Sequence, residues 1–348
     1  MDLKETFNLI ISADFLANAT LSEEMCKKVF LKNSQAVIDE AINQFEDGTI
    51  VHLLDDFKRK NEVVVTFHHD KLQYFDPKKS QWVTLTKIPE KVCNNKKSCA
   101  VKDRIYIFGD DEKFDWTHVV EYNTCTNIWR TLNSFESLGE YYENAFSVGF
   151  LCSVGNKLYT RISWSKYEHY EANMFYDEED YMAIKMLDLD DEDQKWKEVK
   201  LDDYEELTDP AVAVEDDCIY LVGGGYEVEK YDVKQDLWTT VTEMSDEMSS
   251  SDDIAVAVLD GKIYVSDGVS FECYDTSTEN WTSLASMNHG RTGHSLLVKN
   301  GSIVVVGGEH SSIEEYDVAN DTWTVKVENL DEIPEGGFIM MKYYLEQE

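Results

Sequence analysis

Three histidines, His289, His294 and His310, fall near one another towards the C-terminal end of this 348-residue chain, and imidazoles so placed could ligate a metal ion. His294 opens a short apolar run, where bonding to a neighbouring carbonyl is the ordinary role of such a ring. Asp252-Asp253 and Asp190-Asp191-Glu192-Asp193 offer the hard oxygens that calcium prefers, but lack the glycine-bearing loop spacing of an EF-hand. No Ser/His/Asp order, phosphate-cradling loop or dinucleotide fingerprint occurs. With 69 acidic residues in the chain, the proximity of any two carboxylates carries little information about hydrolysis. The reading is therefore non-enzymatic, with no catalytic residue, cofactor or metal.

A different chemistry is written at residues 163–182. Trp164, Tyr167, Tyr170, Phe175, Tyr176 and Tyr181 are interleaved there with Glu168, Glu171, Asp177, Glu178, Glu179 and Asp180. Aromatic side chains supply large contact area at modest ordering cost, and a plain polar linker would not carry so many rings. The segment reads as a long binding loop inserted between two strands.

Charge narrows the partners. The 69 acidic residues face 32 basic ones, a formal net charge of −37, and only Arg59, Arg104, Arg130, Arg161 and Arg291 are arginines. Such a surface repels phosphate backbones and anionic membranes, so nucleic acid and membrane are not expected partners and a cationic protein segment is. Seven scattered cysteines without a C-x-x-C pair predict buried thiols in a reducing compartment, the cytoplasm or the nucleus.

The elements that must position these residues are announced by a repeat. Asp76/Trp82, Asn123/Trp129, Asp190/Trp196, Asp232/Trp238, Asp275/Trp281 and Asp317/Trp323 are six pairs with one spacing, and an aromatic precedes the acid or amide in five of them. From Trp196 onward the tryptophans recur at intervals of 42, 43 and 42 residues. A period of that length holding four short strands marks a propeller blade, and six blades close a ring. Asp216-Asp217, Asp260-Gly261 and Asn300-Gly301 supply tight hairpins, and Gly223-Gly224 and Gly307-Gly308 end buried second strands. The tryptophans are expected to pack between sheets, and the acids and amides to organise turns. Blade one lacks its inner strand, which the apolar segment 338–345 is predicted to supply as a latch. Residues 1–60 instead show helical spacing, with a capping box at Thr20 and Glu23. The predicted organisation is a helical segment over 1–60 and an all-β six-bladed propeller over 63–348.

Gly-Gly, Tyr-Asp and Trp at these offsets resemble the kelch repeat, best in Gly223-Gly224…Tyr231…Trp238 and Gly307-Gly308…Tyr316…Trp323. The stretch 11–31 is similar to the junction of BTB–BACK–kelch proteins, with the BTB domain truncated or missing. The resemblance implies partner peptides bound at one end of a kelch-type propeller. The loops it nominates are 110–118, 164–181, 224–227, 246–253, 289–292 and 309–311. It implies partner-contacting roles for Trp116, His118, Trp164, Tyr167, Tyr170, Tyr176, Asp177, Glu178, Glu179, Asp180, Tyr226, His289, Arg291 and His310. Arg291 stands where an arginine of the family often faces ligand. The function implied is substrate recognition for ubiquitin ligation with a cullin-RING complex. Actin binding is the alternative, and a galactose-oxidase-like metal enzyme the remote one.

Overall fold

The computed structural model describes residues 62–342, apart from 78, 93, 103, 111–116, 125–126, 133–145, 168–177, 192, 200–209, 225–226, 245–252, 329 and 331–336. The helical reading of residues 1–60 lies outside the described residues, as do the tip of the 163–182 segment and positions 343–348. Among the described residues every regular element is a strand, and the strands form six four-stranded antiparallel sheets.

Blade 1 joins β1 (Glu62–His68), β2 (Lys71–Asp76) and β3 (Gln81–Lys87). Blade 2 holds β4 (Asn94–Val101), β5 (Arg104–Asp110), β6 (Thr117–Asn123) and β7 (Ile128–Thr131). Blade 3 has β8 (Phe146–Val154), β9 (Lys157–Tyr167), β10 (Glu178–Asp188) and β11 (Trp196–Val199). Blade 4 runs through β12 (Ala211–Glu215), β13 (Cys218–Val222), β14 (Glu227–Asp232) and β15 (Leu237–Glu243). Blade 5 comprises β16 (Ala255–Leu259), β17 (Lys262–Ser266), β18 (Phe271–Asp275) and β19 (Asn280–Ser283). Blade 6 comprises β20 (His294–Lys299), β21 (Ser302–Gly307), β22 (Ile313–Asp317) and β23 (Thr322–Val327). The final strand, β24 (Phe338–Lys342), returns to blade 1 and pairs antiparallel with β1, from Glu62↔Lys342 to Thr66↔Phe338. The latch is present, and it zips the two ends of the ring into one sheet.

The inner strands β24, β4, β8, β12, β16 and β20 each touch the next, and the last touches the first, so the ring is closed. Each apolar cluster spans one joint between neighbouring blades. Ile263, Val265 and Tyr274 of blade 5 pack with Val222 and Val228 of blade 4, for example, and Phe338 packs with Leu297 and Val304 of blade 6. The repeat tryptophans are the pillars of these joints. Trp323 meets Phe271 of blade 5 edge-on at 5.0 Å and donates its indole N–H to Ala285 O at 2.9 Å. Trp196 meets Phe108 of blade 2 in the same way, and Trp129 donates to Thr86 Oγ1 of blade 1. Trp82 lies 5.7 Å from Phe338, while Trp238 and Trp281 join the clusters towards blades 3 and 4. Burying a ring of this size contributes about 1.5–3 kcal/mol by area alone.

The turns explain the spacing of the repeat. Asp232 Oδ1 accepts the N–H groups of Lys234 and Gln235, Asp275 Oδ1 those of Ser277 and Thr278, and Asp317 Oδ1 those of Ala319 and Asn320. The residue two before each of the six repeat tryptophans (Ser80, Asn127, Gln194, Asp236, Glu279 and Asp321) has positive φ. Short polar side chains tolerate that conformation best. Three of these side chains also accept the buried tyrosine hydroxyl of their own blade: Tyr122 to Asn127, Tyr231 to Asp236, Tyr316 to Asp321. At Gly307, with φ of 84°, an added Cβ would run into the Phe338 ring, so this glycine admits the latch.

Antiparallel order fixes two unlike ends. Turns within the first and last strand pairs of each blade lie at one end, hereafter the hairpin end. Connections from second to third strand, and from each blade to the next, lie at the other, the loop end.

Candidate functional site

At the loop end a network of side chains pins blades 5 and 6 together. The segment leaving β19 carries Asn288, His289 and Arg291, and the loop after β21 carries His310 and Ser312. Glu314, on β22, sits beneath both, its side chain fully buried. A β-bulge between Ile313 and Glu314 interrupts the ladder with β23 at this point, and bulges re-aim side chains. Bulges also fall at Leu72/Gln73 and Val228/Glu229, so the same buried polar position recurs in blades 1, 4 and 6.

Arg291 Nη2 donates to Glu314 Oε1 at 3.0 Å and to Ser312 Oγ at 2.7 Å, and Nη1 reaches the carbonyls of Gly307, His310 and Ser312. Its backbone N–H donates to Gly268 O in the blade 5 loop. Asn288 donates to Glu314 Oε2 through both its backbone N–H and its side chain, each at 2.9 Å. Burial by itself would raise the Glu314 carboxyl; the hydrogen bonds from Arg291, Asn288 and His289 outweigh it and hold the group below the usual carboxylate range. Gly268 is required at this joint, because a Cβ there would strike the Arg291 carbonyl and its φ is 90°.

Two of the three histidines come together. The His289 and His310 rings stack with centroids 3.9 Å apart and planes at 23°. His289 Nδ1 lies 3.1 Å from Glu314 Oε1, and His310 Nδ1 lies 2.9 Å from Ser312 Oγ. Burial, then the neighbouring His289 and Arg291, lower the His310 pKa below 6.5. His294 is elsewhere: it opens β20 as anticipated, but its partner is Ser266 Oγ at 3.2 Å from Nε2, not a carbonyl. Its Nδ1 stands 3.9 Å from Asp253 Oδ2, giving an Asp–His–Ser line. That line has no route to a substrate, since Ser266 is wholly buried and its hydroxyl accepts the Gly268 N–H. Among the described residues no group of three or more His, Cys, Asp or Glu side chains is placed to hold a metal.

The expectation for Arg291 needs correction. Its guanidinium is buried and engaged by five acceptor contacts within the fold, so it rivets two blades and does not face a ligand. A charge placed in a loop is drawn inward here because Glu314 already waits beneath it. The 163–182 segment is corrected too. Residues 163–167 and 178–182 are strand, pairing in register from Ser163↔Met182 to Tyr167↔Glu178, and residues 168–177 lie outside the described residues. Trp164, Tyr167, Glu178, Glu179 and Asp180 thus belong to an extended hairpin at the loop end. Tyr170, Tyr176 and Asp177 lie outside the described residues, as do Trp116 and Tyr226. His118 lies on β6 opposite Gly109.

Glu314, Ser312 and Asn288 were missed from the sequence. The available signal was an acid or amide two residues before an aromatic on the third strand, at Gln73, Glu229, Glu272 and Glu314, in otherwise apolar surroundings.

Residues 250–288 match the family model described as Kelch motif. Kelch repeat protein C2 of Cowpox virus (strain GRI-90 / Grishak) is 32% identical over 117 residues, covering 30% of this chain and 22% of that protein. Kelch-like protein 38 of Danio rerio is 28% identical over 136 residues, 34% of this chain and 23% of the relative. Kelch-like ECH-associated protein 1A of Danio rerio is 31% identical over 110 residues, 27% and 18% respectively. Each match therefore spans about a fifth of the relative's length. The chain is similar to kelch-repeat and kelch-like proteins, and its fold is a six-bladed kelch-type propeller.

Proposed function

We propose that this chain is a partner-recognition propeller of the kelch-like adaptor type, receiving a Lys/Arg-bearing peptide at its loop end and feeding ubiquitin ligation. Kelch propellers typically serve protein–protein interaction, and the similarity to kelch-like proteins supports that role here. The observation that carries the reading is the Glu314 network, which holds Asn288, His289, Arg291, His310 and Ser312 from separate segments in one rigid platform. A rigid platform spares the ordering cost that flexible loops would incur on binding. The net charge of −37 supports a cationic partner, and the extended blade 3 hairpin adds aromatic and acidic residues at the same end.

The test is co-purification of the full chain with cullin-RING subunits, beside variants lacking residues 168–177 or 1–60. The adaptor reading expects the first deletion to lose the recruited partner but keep the cullin, and the second to do the reverse. Co-sedimentation with actin filaments in place of cullin association would replace this reading with the cytoskeletal one.

A further inference from the structure

The stacked pair His289–His310 has a polarity that the network dictates. Ionised Glu314 can only accept, so His289 Nδ1 must carry a proton to bond it. Ser312 Oγ already accepts from Arg291 Nη2, and the hydroxyl is buried with His310 Nδ1 as its one remaining partner. Its hydrogen therefore goes to His310 Nδ1, which must be the unprotonated nitrogen of that ring. When each ring carries a single proton, the two imidazoles are opposite tautomers. His289 is left with a bare Nε2 acceptor, and His310 with an Nε2–H donor.

Neither Nε2 has a partner among the described residues, and neither is among the buried unpaired atoms, so both reach solvent. Both Nδ1 atoms are turned inward, which faces the Nε2 edges outward at the loop end. Val269, 65% exposed, flanks the same segment beside Gly290. Resting on the peptide-binding reading above, we infer that His289 Nε2 and His310 Nε2–H form a two-point reader for amide groups of the partner. An N–H of the partner donates to His289 and a carbonyl accepts from His310. The two groups are either the N–H and C=O of one residue in an extended segment or the two edges of an Asn or Gln side-chain amide. A lone carboxylate or ammonium group satisfies only one of the two points, so the pair selects amides and fixes their direction.

The experiment has two arms. Ring ¹⁵N NMR of the full chain at pH 7.5 should show His289 protonated at Nδ1 and His310 at Nε2; the same tautomer on both rings overturns the inference. In the second arm, dodecapeptides selected from a display library on the wild-type chain are measured against His289→Phe, His310→Phe and the double variant. Phenylalanine keeps the stack and removes both polar edges. Losing two hydrogen bonds should weaken binding about tenfold or more in the double variant, which keeps a cooperative melt at a lower temperature because Glu314 and Ser312 each lose one internal partner. An affinity within about twofold of wild type overturns the inference while leaving peptide binding intact. Failure to select any wild-type binder overturns the peptide reading as well. N-methylation of the contacted peptide bond, against Asn/Gln→Ala changes in the peptide, separates the two amide sources.

Discussion

The two ends of the ring use carboxylates in opposite ways. At the hairpin end Asp232, Asp275 and Asp317 fold back on their own turns, each serving N–H groups two and three residues on. At the loop end Glu314 serves Asn288, His289 and Arg291, more than twenty residues away and on a different segment. The first kind of contact is local and repeats with the sequence; the second joins distant segments and ties blade to blade. Turn-making and blade-bracing carboxylates are thus separated along the axis of the same fold, and the acidic surplus is not one undifferentiated surface.

Removing what both ends depend on should have the largest effect. Truncation after Gly337 deletes β24, opens the ring and exposes the β1 edge; the expected outcome is loss of the cooperative calorimetric transition. Glu314→Ala strikes the loop end alone, leaving the Arg291 charge buried without its counter-ion. It should cost about 3–5 kcal/mol in urea unfolding. At the hairpin end, Asp321→Ala strips the partner from the Tyr316 hydroxyl and from Ala285 N–H, for about 1–3 kcal/mol by the same measurement. The reverse experiment sharpens the contrast. Tyr274 keeps an unpartnered buried hydroxyl where blade 5 has Glu279 in place of the shorter acid or amide of its siblings. Glu279→Asp should raise stability by about 1 kcal/mol.

Acid should loosen the loop end gradually. His294 and His310 have pKa values depressed in the folded state, chiefly by burial, so the unfolded chain takes up protons first. Their contribution is whole above about 6.5 and is lost as pH falls through the folded values. Glu314, also depressed, adds a second loss that begins below the ordinary carboxylate value of 4.5. Urea midpoints measured from pH 8 to pH 4 should decline in that order. A midpoint that rises across the His window would reverse the sign argued here.

The hairpin end was readable because its physics is local. An aspartate, a left-handed residue and a tryptophan at constant spacing leave a trace in one sequence, as do the Asp-Gly and Asn-Gly turns with both central residues at positive φ. Pairing of 338–342 with 62–66 was also legible, since a missing strand and a surplus one had to meet. The loop end was readable only in outline. His289 and His310 could be nominated as neighbours, but not stacked, and Arg291 was expected to face outward.

The amino-acid order alone therefore determined the number of blades, their turns, the tryptophan pillars and the closure of the ring. All of these follow from spacings shorter than a blade or from counting strands. Tertiary structure decided which way Arg291 points, that Ser163 to Tyr167 extend a strand, and that the His289 and His310 rings stack. Those outcomes depend on burial and on partners brought together by ring closure, and a linear pattern encodes neither.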